Sequence, residues 1–362
     1  MNTKRLYFID IIRAFAILMM LQGHFVDTLL AITYRDVNSM PYIVWSYFRG
    51  ITAPTFFTIS GLIFTYLLLK AKEKGEQNLR IKKGLIRGVF LIIVGYVIRI
   101  PISAWFTFKF SPNFLVVDVL QCIGLSLILI ILLFLISAKK TFLFSTIMFF
   151  LGSLIFVSEP MYRQLSITTI PVFLSNFVSK SNGSVFTILP WFGYVCYGSF
   201  LATFFYKYFT KENFKQAAIF LFMVVGTILI CYSSTILSFL SRVTNIQLFL
   251  DSANYNYLFS RLGNVFIYFA FFYAMENYLK YNLILKIGQK TLSIYVIHFI
   301  IIYGSITGYG LNLIGKNLTP WQAVFGAVGF MIVVCFISFY YVKTNTLVYT
   351  KLSKVVAKIK GN

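Results

Sequence analysis

Negative charge is what this chain lacks most: ten Asp and Glu stand against 32 Lys and Arg, a formal net charge of +22 over 362 residues. Charge of either sign is scarce as well, at 12% of residues against about 25% in a soluble domain, while 59% of the chain is hydrophobic. Together these exclude a soluble globular protein. Cysteine is sparse, and Cys122, Cys196, Cys231 and Cys335 all lie inside apolar runs without metal-ligand spacing, so neither a disulfide framework nor a metal site is expected. They read as small buried hydrophobes. The chain also lacks internal repeats, low-complexity tracts and Pro-rich linkers, so residues 1–362 are read as a single transmembrane domain.

What is present is a series of long apolar windows, near 8–30, 46–69, 85–104, 115–137, 142–158, 187–206, 217–238, 259–279, 283–304 and 320–342. The expected fold is all-α, a polytopic integral membrane protein of about ten transmembrane helices. The first window follows Lys4 and Arg5 as a signal peptide would, but it has no small-residue cleavage site and contains Asp10, Arg13 and His24, so it reads as a retained span.

The basic residues test this count. Assigning alternate loops to alternate sides places 22 of the 32 on one side, including the run from Lys70 to Arg87 and the tail from Lys343 to Lys360. The other side holds nine and Arg13 lies within the first span. Such asymmetry marks the cytoplasmic face, so both termini are expected there, in a bacterial cytoplasmic membrane. It also explains the excess of positive charge without nucleic acid, which is not an expected partner. The tail YTKLSKVVAKIKGN reads as a basic amphipathic segment on the inner leaflet. The connections 159–186 and 239–258 are too short for folded domains and read as ordinary loops or as rims over a cavity.

Ionisable side chains at mid-membrane cost about 2.5–3.5 kcal/mol each on insertion scales, so those within spans point to a cavity, a partner or a function. The first span carries four: Asp10, Arg13, His24 and Asp27. Helical geometry puts Arg13 and His24 about 20° apart in azimuth and about 16 Å apart along the axis, with Asp10 about 40° and Asp27 about 60° from His24. The four form one polar stripe. Asp10 and Arg13, three apart, can also neutralise each other. His24 can accept a proton near neutral pH, with Asp27 or Asp118 a candidate to hold its other ring nitrogen. Tyr295 and His298 share a face of the ninth span, and Arg49, Arg99 and Arg261 lie near predicted outer boundaries, where they either snorkel or bind a sugar or an anionic group. Gly50, Pro54 and Gly61 predict a bent or broken second helix.

The run FIDIIRAFAILMMLQGH, with ten residues between Arg13 and His24, resembles the membrane acyltransferase superfamily of acyltransferase-3 and heparan-alpha-glucosaminide N-acetyltransferase-like proteins. RGITAPTFFTISGLIF, with Ser60 and Gly61, is similar to their second-span signature. VVDVLQCIGLSLIL, with Asp118 and Gln121, resembles the glucosaminide branch, and LSIYVIHFII resembles a penultimate-span motif in which a tyrosine precedes a histidine. One departure stands out: where acyltransferase-3 proteins carry two arginines three apart, this chain has Arg80 and Lys83, followed by Arg87.

The resemblance implies transfer of an acyl group, usually acetyl, from cytoplasmic acyl-CoA to a hydroxyl or amine of a carbohydrate or lipid-linked acceptor, with no metal. On that reading Arg13, Asp10, Arg80, Lys83 and Arg87 face the donor, although the same basic loop also serves as a topology signal. His24, with Asp27 and Asp118, forms the catalytic group, as general base or as transient acyl carrier. Arg49, Ser60, Gln121, Tyr295 and His298 are candidates to meet the acceptor. Membrane lipid is the surrounding partner, and a homo-oligomer stays open. A proton-coupled transporter or flippase of a sugar or lipid-linked substrate is the alternative, since it would use the same buried charges.

Overall fold

The computed structural model describes residues 6–109, 112–167, 169–305 and 307–359, with side chains of the last helix described as far as Tyr340. Lys4, Arg5 and the basic side chains of the C-terminal tail lie outside them. Among the described residues every long element is a helix, and the one β-type pairing is the isolated bridge between Leu30 and Leu318.

Each of the ten apolar windows is largely helical, and four of them, 85–104, 217–238, 259–279 and 283–304, run over two helices. In chain order these are α1 (Tyr7–Leu29), α2 (Met40–Glu73), α3 (Gln77–Val97) with the short α4 (Ile102–Thr107), α5 (Val119–Ile136) and α6 (Thr141–Val157). Two short helices, α7 (Glu159–Tyr162) and α8 (Val172–Val178), precede α9 (Ile188–Tyr208). Then come α10 (Phe214–Cys231), α11 (Ser233–Thr244), α12 (Gln247–Asn254), α13 (Tyr257–Ala274), α14 (Glu276–Leu279), α15 (Asn282–Gln289), α16 (Thr291–Tyr303) and α17 (Pro320–Ile359). By length and composition six of them, α1, α2, α5, α9, α10 and α17, are able to cross a membrane, and α15 with α16 makes a seventh if counted as one span. The other windows fall short for local reasons: α6 has 17 residues, α3 carries Arg80 to Arg87, and α13 carries Arg261 and Asn264.

Two expectations are corrected. The ninth window is not a straight span, because α15 and α16 meet at 71°. The break follows from composition: α15 is amphipathic, and its Gly288 lies directly against the backbone of Asp10, which docks it on the start of α1. Of the bend or break expected in the second helix, the break is absent. Met40–Glu73 is one helix with Pro54 inside it, and the hydroxyl of Thr58 bonds the Pro54 carbonyl at 2.8 Å.

Helix α1 is central, touching α2, α13, α15, α16 and α17. Its neighbour α2 packs most extensively on α9, where backbones meet: a Cβ at Gly61 would run into the Val195 carbonyl, and one at Gly198 into that of Thr58. Lipid offers no hydrophobic drive between helices, so close approach at small residues is what holds such a pair. Gly198→Leu is therefore expected to cost about 1–3 kcal/mol or more through overpacking. Fluorescence-detected size-exclusion chromatography after heating should show a lower melting temperature in detergent, and an unchanged one would mean that α2 and α9 do not touch here.

Candidate functional site

Of the stripe on α1, Arg13 and His24 open onto one cavity of about 760 Å³. Its walls come from α1 (Arg13, Ile17, Met20, His24), the face of α2 from Ser46 to Leu67, α3 (Arg80, Lys83, Arg87), α5 (Val119 to Leu127) and α16 (Thr291, Leu292, Tyr295). Val185 and Phe186 of the 159–186 connection close one side, where their backbone N–H groups bond the Val117 carbonyl. That connection is thus a rim, as one of the sequence readings had it.

The cavity is long. Twenty-one residues separate Ser46 from Leu67 on α2, about 32 Å of helix, which matches the roughly 30 Å of a bilayer's hydrocarbon. One end is defined by Lys83 and Arg87, both exposed, and by the half-buried Arg80, whose guanidinium lies 5.7 Å from the Phe64 ring centre. The other end holds Ser46, Arg49, Gly50 and Arg261. Among the described residues six cationic side chains line this space, Arg13, Arg49, Arg80, Lys83, Arg87 and Arg261, and no Asp or Glu does. Of the seven basic residues from Lys70 to Arg87, three reach the cavity. Lys70 pairs with Glu73 and Lys72 bonds the Lys139 carbonyl at 2.5 Å.

Arg13 is held in place on the cavity wall. It donates to the Thr291 hydroxyl at 2.8 Å and stands 3.8 Å from the Asp10 carboxylate. Asp10 itself is buried and does not line the cavity, which leaves it a partner of Arg13 rather than a group facing a donor.

His24 sits three helical turns further on. Its Nδ1 lies 2.9 Å from the Tyr303 hydroxyl at the far end of α16. Its Nε2 has no hydrogen-bond partner among the described residues, and the ring lines the cavity. This corrects the expectation that Asp27 or Asp118 holds the second nitrogen. Asp27 forms an ion pair with Arg49, and Asp118 accepts from Arg99 at 2.5 Å while capping α5 through Val119 N–H at 2.8 Å. Both carboxylates are committed to cations, and neither lines the cavity. Gln121 is likewise structural: its Oε1 accepts from the Asp118 N–H at 3.2 Å and completes the capping box.

Of the expected acceptor residues, Arg49, Ser60 and Tyr295 line the cavity, with the Ser60 hydroxyl turned to the Phe56 carbonyl at 2.8 Å. His298 does not reach it. That ring is fully buried behind Tyr295, its centre 5.2 Å from that of His24, and neither of its nitrogens has a partner among the described residues. Tyr303 and Trp191 went unnoticed in the sequence. Tyr303 follows Tyr295 by eight residues, about 80° around the helix, a weak signal in so aromatic a chain. Trp191 brings to the cavity wall an indole N–H that has no partner among the described residues.

This arrangement suits an elongated anionic ligand. Phosphates fit the Arg80, Lys83 and Arg87 end, a narrow apolar body fits between Phe56, Phe57, Ile63 and Leu120, and an imidazole nitrogen waits near the opposite end.

A family model described as heparan-alpha-glucosaminide N-acetyltransferase, catalytic, matches residues 5–241. No curated protein and no solved structure matches the chain. The matched stretch contains Arg13, His24, Arg49, Ser60 and the basic trio of α3, whereas Arg261, Tyr295, His298 and Tyr303 lie beyond it.

The Arg99–Asp118 pair anchors the start of α5 against α3, so a double-mutant cycle with Arg99→Met and Asp118→Asn is expected to show a coupling of about 0.5–3 kcal/mol in thermal or denaturant unfolding. Losses that simply add would mean the pair does not form.

Proposed function

From the premise that the chain belongs to the heparan-alpha-glucosaminide N-acetyltransferase family, we propose that it is an integral membrane enzyme carrying acetyl groups from cytoplasmic acetyl-CoA to a sugar or lipid-linked sugar at the opposite face. The observation that carries this reading is the single cavity with a cationic mouth at one end and a half-freed imidazole toward the other. Both termini and the α2–α3 connection then face the cytoplasm, and the donor enters between α2 and α3. Arg80, Lys83 and Arg87 hold its phosphates, Arg13 lies along the path of its arm, and the thioester reaches His24.

The mechanism requires the tautomer in which Nδ1 carries the proton. With Nδ1–H donating to the Tyr303 hydroxyl, the lone pair is on Nε2, on a ring that lines the cavity. Nε2 takes the proton from the acceptor as its heteroatom attacks the thioester carbonyl, the C–S bond breaks, and the proton passes to the departing thiolate. Because one cavity serves both faces, donor and acceptor meet beside the same nitrogen and direct transfer suffices. Low dielectric around the reacting atoms strengthens each charge interaction they make.

Purified protein in detergent, assayed for acetyl-CoA-induced thermal stabilisation and for acetyl transfer, separates the roles. His24→Ala is expected to keep the stabilisation and to lose transfer by about 10²- to 10⁴-fold, the usual contribution of a general base. Tyr303→Phe should lose about tenfold, the rate equivalent of roughly 1.4 kcal/mol and of the order of one hydrogen bond. Replacing Arg80, Lys83 and Arg87 together by Ala should abolish the stabilisation. Undiminished transfer by His24→Ala would defeat the assignment of the base, and undiminished donor binding by the triple variant would defeat that of the mouth.

A further inference from the structure

Beside the main cavity lies a second, shallower cleft of about 410 Å³, within the size range of small-molecule sites. It is formed where the start of α2 meets the start of α13, the end of the bundle remote from Arg80 and Arg87. Arg261 lines both spaces, so the cleft adjoins the cavity at the end that holds Arg49. Its lining is unlike that of the cavity: Tyr47, Tyr257, Asn254, Asn264 and Ser260 surround Arg261, and hydrocarbon side chains are missing from it.

The polar groups are partly pre-set. The Tyr47 hydroxyl bonds Asn264 Oδ1 at 2.5 Å, and Asn264 Nδ2 donates to the Ser260 carbonyl at 3.0 Å. One terminal nitrogen of Arg261 donates to the Tyr47 carbonyl at 2.9 Å, while its guanidinium lies 5.6 Å from the Tyr47 ring centre. No carboxylate among the described residues pairs with Arg261. The acidic residues nearest this end are committed elsewhere: Asp27 to Arg49, Glu159 to Arg163, and Asp251 to Gln247.

Carboxamides, tyrosine rings and a hydroxyl are the groups that recognise a polyhydroxylated ring, and an unpaired guanidinium recognises an anionic oxygen. An ammonium group finds nothing here: neither cleft nor cavity offers a carboxylate, and six cations line the route to His24. We infer that this cleft is the acceptor subsite and that its acceptor is a sugar bearing an anionic group and presenting a hydroxyl, not an amino sugar presenting an ammonium. The inference rests on the acetyltransferase reading and sharpens its acceptor. The step it implies is O-acetylation. The hydroxyl proton goes to His24 Nε2, the new O–C bond forms as the thioester C–S bond breaks, and the proton leaves with the thiol.

The test supplies acetyl-CoA to the full chain in detergent together with methyl β-glucuronide, methyl β-glucoside or glucosamine, and identifies ester or amide products by mass spectrometry. The expected order is glucuronide first, glucoside second, glucosamine last. Arg261→Gln should raise the glucuronide KM about tenfold, leave the acetyl-CoA KM unchanged and erase the preference over the glucoside, with Arg261→Lys intermediate. Glucosamine as the best acceptor, a glucoside as good as the glucuronide, or an Arg261→Gln enzyme with unaltered preference would each overturn the inference while leaving the enzyme an acetyltransferase. Donor binding without turnover of any of the three would remove the cleft as a sugar site. A chain that neither binds nor consumes acetyl-CoA would bring down the underlying reading itself.

Discussion

The hydrogen bond between His24 Nδ1 and the Tyr303 hydroxyl ties the middle of the molecule together. It joins α1 to the far end of α16 and settles which imidazole nitrogen is occupied. An imidazole left without a partner inside hydrocarbon is costly, so its pairing with a neutral hydroxyl rather than a carboxylate has a consequence. A carboxylate would hold the ring as a charged pair. The tyrosine engages one ring nitrogen and leaves the other for chemistry.

The rest of the fold keeps the His24 ring on the wall of a cavity that follows α2 from Ser46 to Leu67. Small residues let α2 lie against α9 backbone to backbone, so that α2 forms a wall running the depth of the cavity. The buried carboxylates stay out of this space because each is spent on an adjacent cation, Asp27 on Arg49, Asp118 on Arg99 and Asp10 beside Arg13. The cavity therefore keeps a positive lining that favours phosphates at its mouth, and it does so without leaving unpaired acid groups inside the bilayer.

Much of this was legible in the sequence. Apolar windows located the helices, and the polar stripe of α1 singled out Arg13 and His24, because charge inside a span is rare enough to be conspicuous. The basic run of α3 was equally visible. What could not be read was which partner each polar group chooses. Along α1, Asp27 is the nearest carboxylate to His24, yet Arg49 from α2 claims it, and Tyr303 from 279 residues away takes its place. Such choices depend on the packing of antiparallel helices. Periodicity within one helix says nothing about them. The bend between α15 and α16 was hidden in the same way: the window is apolar on average, and the amphipathic α15 bends away where Gly288 docks on α1.

A structure with acetyl-CoA bound, determined by cryo-electron microscopy on the full chain, tests the central claim most directly. The account places the phosphates on Arg80, Lys83 and Arg87 and the thioester carbon beside His24 Nε2, with Nδ1 still on Tyr303. Donor density outside this cavity, or a thioester lying away from the His24 ring, would contradict it.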